Sequence, residues 1–421
     1  MRRFLTLLSV LLLISSTGFV ACGTPGENGE PTDNDNGDDD DDNGDDDNGD
    51  DDGDDDDNGD DDNGDDPDFP AFTDVATGSE HTCAILDDDT LWCWGSDSDG
   101  SLGLGEDERN QDVYRPRQVG DDDNWRSVTA GQNHSCAIRD DDSLWCWGSN
   151  NAAQLGIDED FEAGQLDNYS PNPTQVGDDD DWHQVDAGSE HTCGVRDDES
   201  LWCWGSNNRD QLGPGDDPFE PIPRRVGDLT WHSVAAGEQH TCAIRADDAL
   251  LCWGDPGEGR LGIGTDQIGD TYDTPQIVDQ DHDWEQLEVG IDHGCALRDD
   301  DTLWCWGHSG DDGTTSPEQI GEQGWRDLSA GGSATGVVDA EGQLWNWDRD
   351  EMFGFDDELD GQLGVDDDWL GAAVDGMRGC GLRDDDSLWC WSQWAPAGTY
   401  DEHDNDVDRT EPNPVDELDG G

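Results

Sequence analysis

The chain has 421 residues and a formal charge of −89, set by 108 acidic side chains against 19 basic ones, every one of them Arg. A polyanion of this density is repelled by phosphates, so DNA, RNA and anionic lipid surfaces are excluded as partners. Abundant Gly (55) and Trp (20) favour short strands, turns and large aromatic side chains over long helices.

The N-terminus reads "MRRFLTLLSVLLLISSTGFVAC", with Arg2 and Arg3 ahead of an apolar run that ends near Ile14 and small residues before Cys22. That run is too short to span a bilayer stably and has the shape of an export signal. Its last four residues, Phe19-Val20-Ala21-Cys22, resemble the lipobox of bacterial lipoproteins. The resemblance implies cleavage after residue 21, lipidation of Cys22, and an exported chain anchored to the cell envelope. Gly23 in place of an aspartate points to the outer membrane, facing the periplasm or the cell surface. The alternative is an ordinary secretory signal in which Cys22 is incidental.

Residues 31–68 contain 23 Asp and no apolar side chain except proline. Such a segment cannot bury a core and is expected to be a disordered tether, extended by self-repulsion. With its approach it spans residues 22–68 and reaches at most about 150 Å at ~3.3 Å per residue. Specific calcium binding is the sharper reading of these carboxylates, but no ligand loop with a central Gly and a closing Glu is present.

Residues 69–421 repeat one unit seven times, starting at Phe72, Trp125, Trp182, Trp231, Trp284, Trp325 and Trp369. Each copy runs through small residues to a Gly-centred turn. A hairpin of the type "HTCAILDDDTLWCWG" follows, and the copy ends near Pro-x-x-Val or Ile. Period-two alternation puts Cys83, Ile85, Leu91 and Cys93 on one face of that hairpin and Ala84, Trp92 and Trp94 on the other. A sheet apolar on both faces must be covered on both, which a closed ring of seven sheets achieves.

The segments "AGSEHTC", "LWCWG", "GSNNRDQLG" and "IPRRVG" resemble the repeat of the regulator of chromosome condensation family. The resemblance covers residues 72 to 418 and implies an all-β fold, a seven-bladed β-propeller. The nuclear member's action on a small GTPase and nucleosomes does not transfer readily to an exported, acidic chain. Two details are expected of the ring. The hairpin quoted above forms the inner part of its blade, and the strand near Val415 completes the sheet begun by the first repeat.

Setting Cys22 aside leaves twelve cysteines in pairs ten residues apart: Cys83 with Cys93, Cys136 with Cys146, Cys193 with Cys203, Cys242 with Cys252, Cys295 with Cys305, and Cys380 with Cys390. The sixth repeat has Gly336 and Asn346 instead, so both cysteines are missing together, as a bond within each repeat requires. His81, His134, His191, His240 and His293 each stand two residues before a Cys, a spacing that also suits a metal. The family resemblance implies a structural turn residue instead, and a disulfide leaves no thiolate to coordinate.

The repeats alone carry 83 acidic side chains and 17 Arg, a net of −66. Their Asp runs are expected to be solvated turns, and the charge points to a saline habitat where self-repulsion is screened. The sequence contains no nucleophile elbow, metalloprotease helix or phosphate loop. No catalytic, cofactor-binding or metal-binding residue is assigned, and no cofactor is expected. The favoured reading is a monomeric scaffold that binds an extracellular protein or glycan through loops of variable length. The alternatives are a propeller lyase or hydrolase with a carboxylate site, and a structural, cation-buffering envelope protein. The divergent sixth repeat is either degenerate or a specialised part of a binding face.

Overall fold

The computed structural model describes residues 71–106, 111–157, 168–265, 271–279, 282–307, 314–348, 362–363, 366–376, 378–392, 412–415 and 418. The expected signal peptide, the tether and Cys22 lie outside them.

Each repeat makes one antiparallel sheet, and seven sheets form a propeller. In blade 1, β1 (Phe72–Thr77), β2 (His81–Leu86), β3 (Leu91–Ser96) and β4 (Asp112–Gln118) pair in chain order. Blades 2 to 5 and blade 7 repeat this four-strand meander. Blade 6 has three strands among the described residues, with a single bridge from Trp345 to Gln362 where the fourth would lie.

The β2–β3 turn explains its aspartates. Asp89 N–H donates to Leu86 O and Leu86 N–H to Thr90 O, both at 3.0 Å, and Asp89 has φ 61°. The same left-handed position is Asp142, Glu199, Asp248, Asp301 and Asp386 in other blades, and Gly342 in blade 6. Asp, with a short polar side chain, tolerates that conformation better than most residues. The middle aspartate is also engaged. Asp88 Oδ1 accepts the Thr90 hydroxyl (2.6 Å), and Thr90 Oγ1 accepts Trp92 Nε1–H (2.8 Å). Asp141–Ser143–Trp145, Asp300–Thr302–Trp304 and Asp385–Ser387–Trp389 repeat this relay. These turns face solvent, as expected, but they also orient a tryptophan.

Register places Cys83 opposite Cys93, Ala84 opposite Trp92 and Ile85 opposite Leu91. Disulfides join all six cysteine pairs within their own blades. Cys83 is bonded to Cys93, Cys136 to Cys146, Cys193 to Cys203, Cys242 to Cys252, Cys295 to Cys305, and Cys380 to Cys390, with Cα atoms 4.0 to 4.1 Å apart. Gly336 and Asn346 stand opposite each other at the equivalent position of blade 6. Twelve tryptophans are almost wholly buried, including the opening Trp of blades 2 to 7. Around the opening Trp, four blades build a clamp: the guanidinium of Arg139, Arg196, Arg298 or Arg383 lies 3.9 to 4.6 Å from two indole centroids. Its outer edge meets an aspartate from the preceding interblade linker, as in Arg196 to Asp179. Cation–π contacts that are this desolvated are worth about 1 to 2 kcal/mol each.

Two expectations are corrected. The strand at Asn413–Pro414 pairs with Leu388–Ser392 of its own repeat, and Val415 N–H bonds Leu388 O at 2.8 Å. Every Pro-x-x-Val segment therefore closes its own blade, and the ring closes by face packing. Phe72, Val75, Ala373, Leu382 and Val415 share one core cluster, and Phe72 N–H donates to Asp386 O across the closure (3.0 Å). The other six blades make the same bond, as in Trp125 N–H to Asp89 O. The hairpin expected to be innermost is instead the middle of its blade, because the first strands pack against one another and line the central channel. Their small, partly polar residues suit that crowded position.

Alkylating the folded chain without reductant should modify none of the twelve repeat cysteines, read by intact mass. The pair Cys193→Ala and Cys203→Ala should lower unfolding free energy by about 2 to 3 kcal/mol, the value for so short a loop. An unchanged denaturant midpoint would refute that contribution.

Candidate functional site

Two regions carry chemistry that the repeat scaffold does not explain: the central channel and the face where the third-to-fourth-strand loops emerge. The channel encloses about 190 Å³ and is lined by the first strands and by the turns that follow them. Polar side chains on the first strands of blades 1, 2, 3, 5 and 6 bond the backbone of the next blade. Asp74 takes N–H groups from Val75 (3.0 Å) and from Val128 of blade 2 (2.9 Å). Gln184 makes two bonds to Val234, Asp186 accepts Ala236 N–H and the Thr129 hydroxyl, and Asp327 accepts Ala372 N–H.

Glu288 belongs to the same layer. Burial, then the neighbouring Asp186 and Asp327, hold its carboxyl well above the usual range. Burial pushes Asp74 up to about 7 against its two backbone hydrogen bonds, and Asp327 to about 6. At the mouth, Asp375 rises to about 6 for the same reason, opposed by Arg378 and by the Ser79 hydroxyl. The channel carboxyls are thus held weakly acidic, Asp74 and Asp327 being buried and Glu288 and Asp375 half-buried. Among the described residues no group of three His, Cys, Asp or Glu has metal-holding geometry.

The channel mouth is framed by the first-to-second-strand turns, joined by bonds such as Ser189 N–H to Gly237 O (3.2 Å) and Ile291 N–H to Gly332 O (2.8 Å). On the same face, the third-to-fourth-strand loops hold fixed stems. In blade 3, Asn207 Oδ1 accepts Leu212 N–H (3.0 Å), Gln211 Oε1 accepts Arg209 N–H (2.8 Å), and Leu212 is fully buried. The Asn-x-x-x-Gln-Leu-Gly pattern thus encodes a self-bonded loop. The length-variable insertions start beyond these stems, and outside blade 3 their central parts lie outside the described residues, as does the divergent run of the sixth repeat.

The predicted histidines are brought to the seams between blades, not to a metal and not merely to turns. His81 Nε2 lies 2.8 Å from Ser135 Oγ of blade 2, and Ser135 Oγ donates to Ser101 O of blade 1. His134 meets Thr192, and His191 meets Thr241, in the same way at 2.9 Å. Each hydroxyl proton is already committed to a carbonyl, so each imidazole must donate from Nε2–H. Burial holds His81, His134 and His191 down at about 3. Reading the repeats for what they share leaves the channel residues Asp74, Asp186, Glu288 and Asp327 unnoticed. Their signal is the acid that interrupts the first strand before its closing Gly in some copies only.

The fold and these seams define a repeat protein of the seven-bladed propeller class, with each blade built from one sequence repeat. A family model described as RCC1-like domain matches residues 22–317. The chain belongs to that family. Among curated proteins it is similar to the yeast (Saccharomyces cerevisiae) guanine nucleotide exchange factor SRM1, 29% identical over 36% of this chain and 34% of that protein. It is likewise 29% identical to human probable E3 ubiquitin-protein ligase HERC6, over 33% of this chain and 13% of that one. The match thus spans about a third or less of those relatives' own lengths. Among solved structures, yeast RCC1 (Prp20) bound to Kap60 superposes with a TM-score of 0.65 at 18% identity, covering 82% of this chain and 84% of that one.

Glu288→Gln should raise the melting temperature at pH 8 and leave it unchanged near pH 4. A carboxyl whose folded pKa is raised destabilises the fold only once pH exceeds its unfolded value, about 4.3. A gain of equal size at both pH values would refute this role.

Proposed function

We propose that this chain is an exported lipoprotein, anchored through Cys22, whose propeller is a binding scaffold for a protein outside the cell. The observation that carries the reading is that, among the described residues, the third-strand ends and fourth-strand starts flanking the length-variable insertions lie on one face of a frame stitched at its seams. Variable loops on a rigid frame are the usual site of recognition. Related propellers support a protein over a glycan as the ligand. The yeast structure holds Kap60, and a second study of Prp20p describes binding to Gsp1p and histones.

The acidic tether fits an anchored chain, holding the propeller away from the membrane by self-repulsion. The carboxylates of the second-to-third-strand turns and interblade linkers cover the opposite face. In saline surroundings they keep the propeller soluble, since the screening length falls from ~10 Å at 0.1 M salt to ~3 Å at 1 M.

Cys22→Ser should abolish metabolic labelling with a palmitate analogue and move the chain from the membrane to the soluble fraction; labelling that persists would exclude the anchor. Saturable capture of one partner from envelope extracts, lost when the 158–167 insertion is replaced by Gly-Ser, would support the binding face. An unchanged partner set on replacing each insertion in turn would remove it. Melting temperature should rise between about 0.1 and 2 M sodium chloride as self-repulsion is screened, and a flat or falling series counts against the saline reading.

A further inference from the structure

The five seam histidines are unevenly distributed around the ring. His81, His134, His191, His240 and His293 open the second strands of blades 1 to 5, so each stands at the seam with the following blade. Blade 6 has Ala334 at that position and blade 7 has Arg378. The seams on either side of blade 7 therefore have no imidazole of this set.

At His134 and His191 the packing around the ring leaves no place for a second proton. At seams 1–2, 2–3 and 3–4, Nε2–H is already used on a hydroxyl. Nδ1 of His134 and of His191 has no hydrogen-bond partner and no solvent contact. The edge carrying Nδ1 and Cε1 rests on a glycine: a Cβ on Gly131 would lie 2.8 Å from Cε1 and 3.0 Å from Nδ1 of His134. Protonation at Nδ1 would place a buried N–H donor and a charge against a glycine backbone, where nothing accepts them.

Blade 5 extends the pattern. Its residue after the histidine is Gly294, which lacks the hydroxyl that Ser135, Thr192 and Thr241 supply. A Cβ there would run into the Trp306 ring at 2.6 Å. His240, wholly buried, accordingly has neither ring nitrogen bonded.

We infer that the seam histidines form an acid-opened latch: as pH falls below neutral, their protonation parts blades 1 to 6 at their seams while blade 7 keeps its contacts with blades 6 and 1. The charged groups nearest the imidazoles reinforce this direction. Arg378 acts on His81, Arg260 acts on His240, and His134 feels His81 and His191, all disfavouring the imidazolium. Arg260 is itself 3.8 Å from Glu238, and Arg378 is offset by Asp375 and Glu80. The sign follows from linkage: a buried histidine held neutral contributes stability above its unfolded pKa of about 6.5, which is lost as pH falls toward its folded value. Asp74, Asp186, Glu288 and Asp327 in the channel act oppositely, because acid relieves the penalty on their ionised forms. Overall melting therefore mixes two effects, and the location of opening distinguishes them.

The test is amide hydrogen exchange of the full chain at pH 7 and pH 5, corrected for intrinsic rates. Protection in His134–Arg139 and His191–Arg196 should fall by about thirtyfold for each histidine released, while Arg378–Arg383 changes by less than about threefold. In the double variant His134→Gln and His191→Gln, whose amides can still donate but cannot be protonated, the first two strands should lose about threefold or less. Uniform loss, or loss starting in blade 7, would overturn the latch. Should the variant not fold, exchange of the imidazole C2–H in the wild-type chain decides the matter. Midpoints for His134 and His191 near 6.5 with the strands still protected would overturn it, and midpoints below about 5, or reached only as protection is lost, would support it.

Discussion

Each blade of this chain is apolar on both faces, and the structure follows from the need to cover both. Cys83, Ile85, Leu91 and Cys93 point one way, Ala84, Trp92 and Trp94 the other, and none of them is more than slightly exposed. One such sheet in water would leave a row of indoles wet, and a stack of them would leave two greasy ends. A closed ring has no ends. The seams are consequently where free energy is concentrated, and the chain places its specific polar contacts there. Seven backbone bonds run from one blade's second-to-third-strand turn to the next blade's first strand. Carboxylates and amides in the channel join neighbouring first strands, and imidazole–hydroxyl pairs join second strands.

That division of labour accounts for the composition. An aspartate is used in three environments with three consequences. In the channel, Asp74 is desolvated and its acidity falls. In the turn, Asp141 and Asp300 accept hydroxyl donors that hold them below the usual range, and they tie down a tryptophan through the relay. In the linkers, Asp122, Asp179 and Asp366 neutralise the arginines that sit between two indoles. The remainder are solvated. The outer strands carry Pro116, Pro171, Pro173, Pro221, Pro223, Pro275 and Pro317, which lack the N–H another strand would need. Together with charge repulsion they keep the exposed edges from pairing between molecules.

The parts of the fold legible in the sequence are those written repeatedly. Seven copies, hairpin register and the pairing of Cys136 with Cys146, or Cys380 with Cys390, follow from period-two alternation and a constant separation of ten, because those are local and each copy votes. Closure is misread from sequence because the ends of a repeat are arbitrary in a periodic chain. A Pro-x-x-Val segment with nothing after it looks like a spare strand until pairing shows that each copy already contains its own. The histidines do close turns, with Gly78 N–H on His81 O and the same bond in blades 2 to 5, but their seam role is missed for the opposite reason. Proximity to a turn is visible in one repeat, whereas the hydroxyl that meets four of the five imidazoles lies in the next repeat, 42 to 58 residues on. The channel acids escape notice because they belong to no motif, being the positions where copies disagree.

Scaffold and function separate along the same line. A feature that recurs in most copies is constrained by the blade and carries little information about a ligand, since a ligand meets the ring at one angular position. What differs among copies is free to specialise. By that criterion the aspartate turns, the indole clamps and the disulfides are architecture. The differences collect in three places: the insertions beyond the Gln-Leu-Gly stems, the channel layer where Thr129, Asp186, Glu288 and Ser329 alternate with alanines, and the seams from blade 5 to blade 1. At the seams the variation has a direction. Five successive positions hold an imidazole buried at a seam, and the last two hold Ala334 and Arg378. A ring with seven equal seams would loosen everywhere at once, whereas this one is graded, so protonation has a defined place to act and blade 7 a defined place to hold.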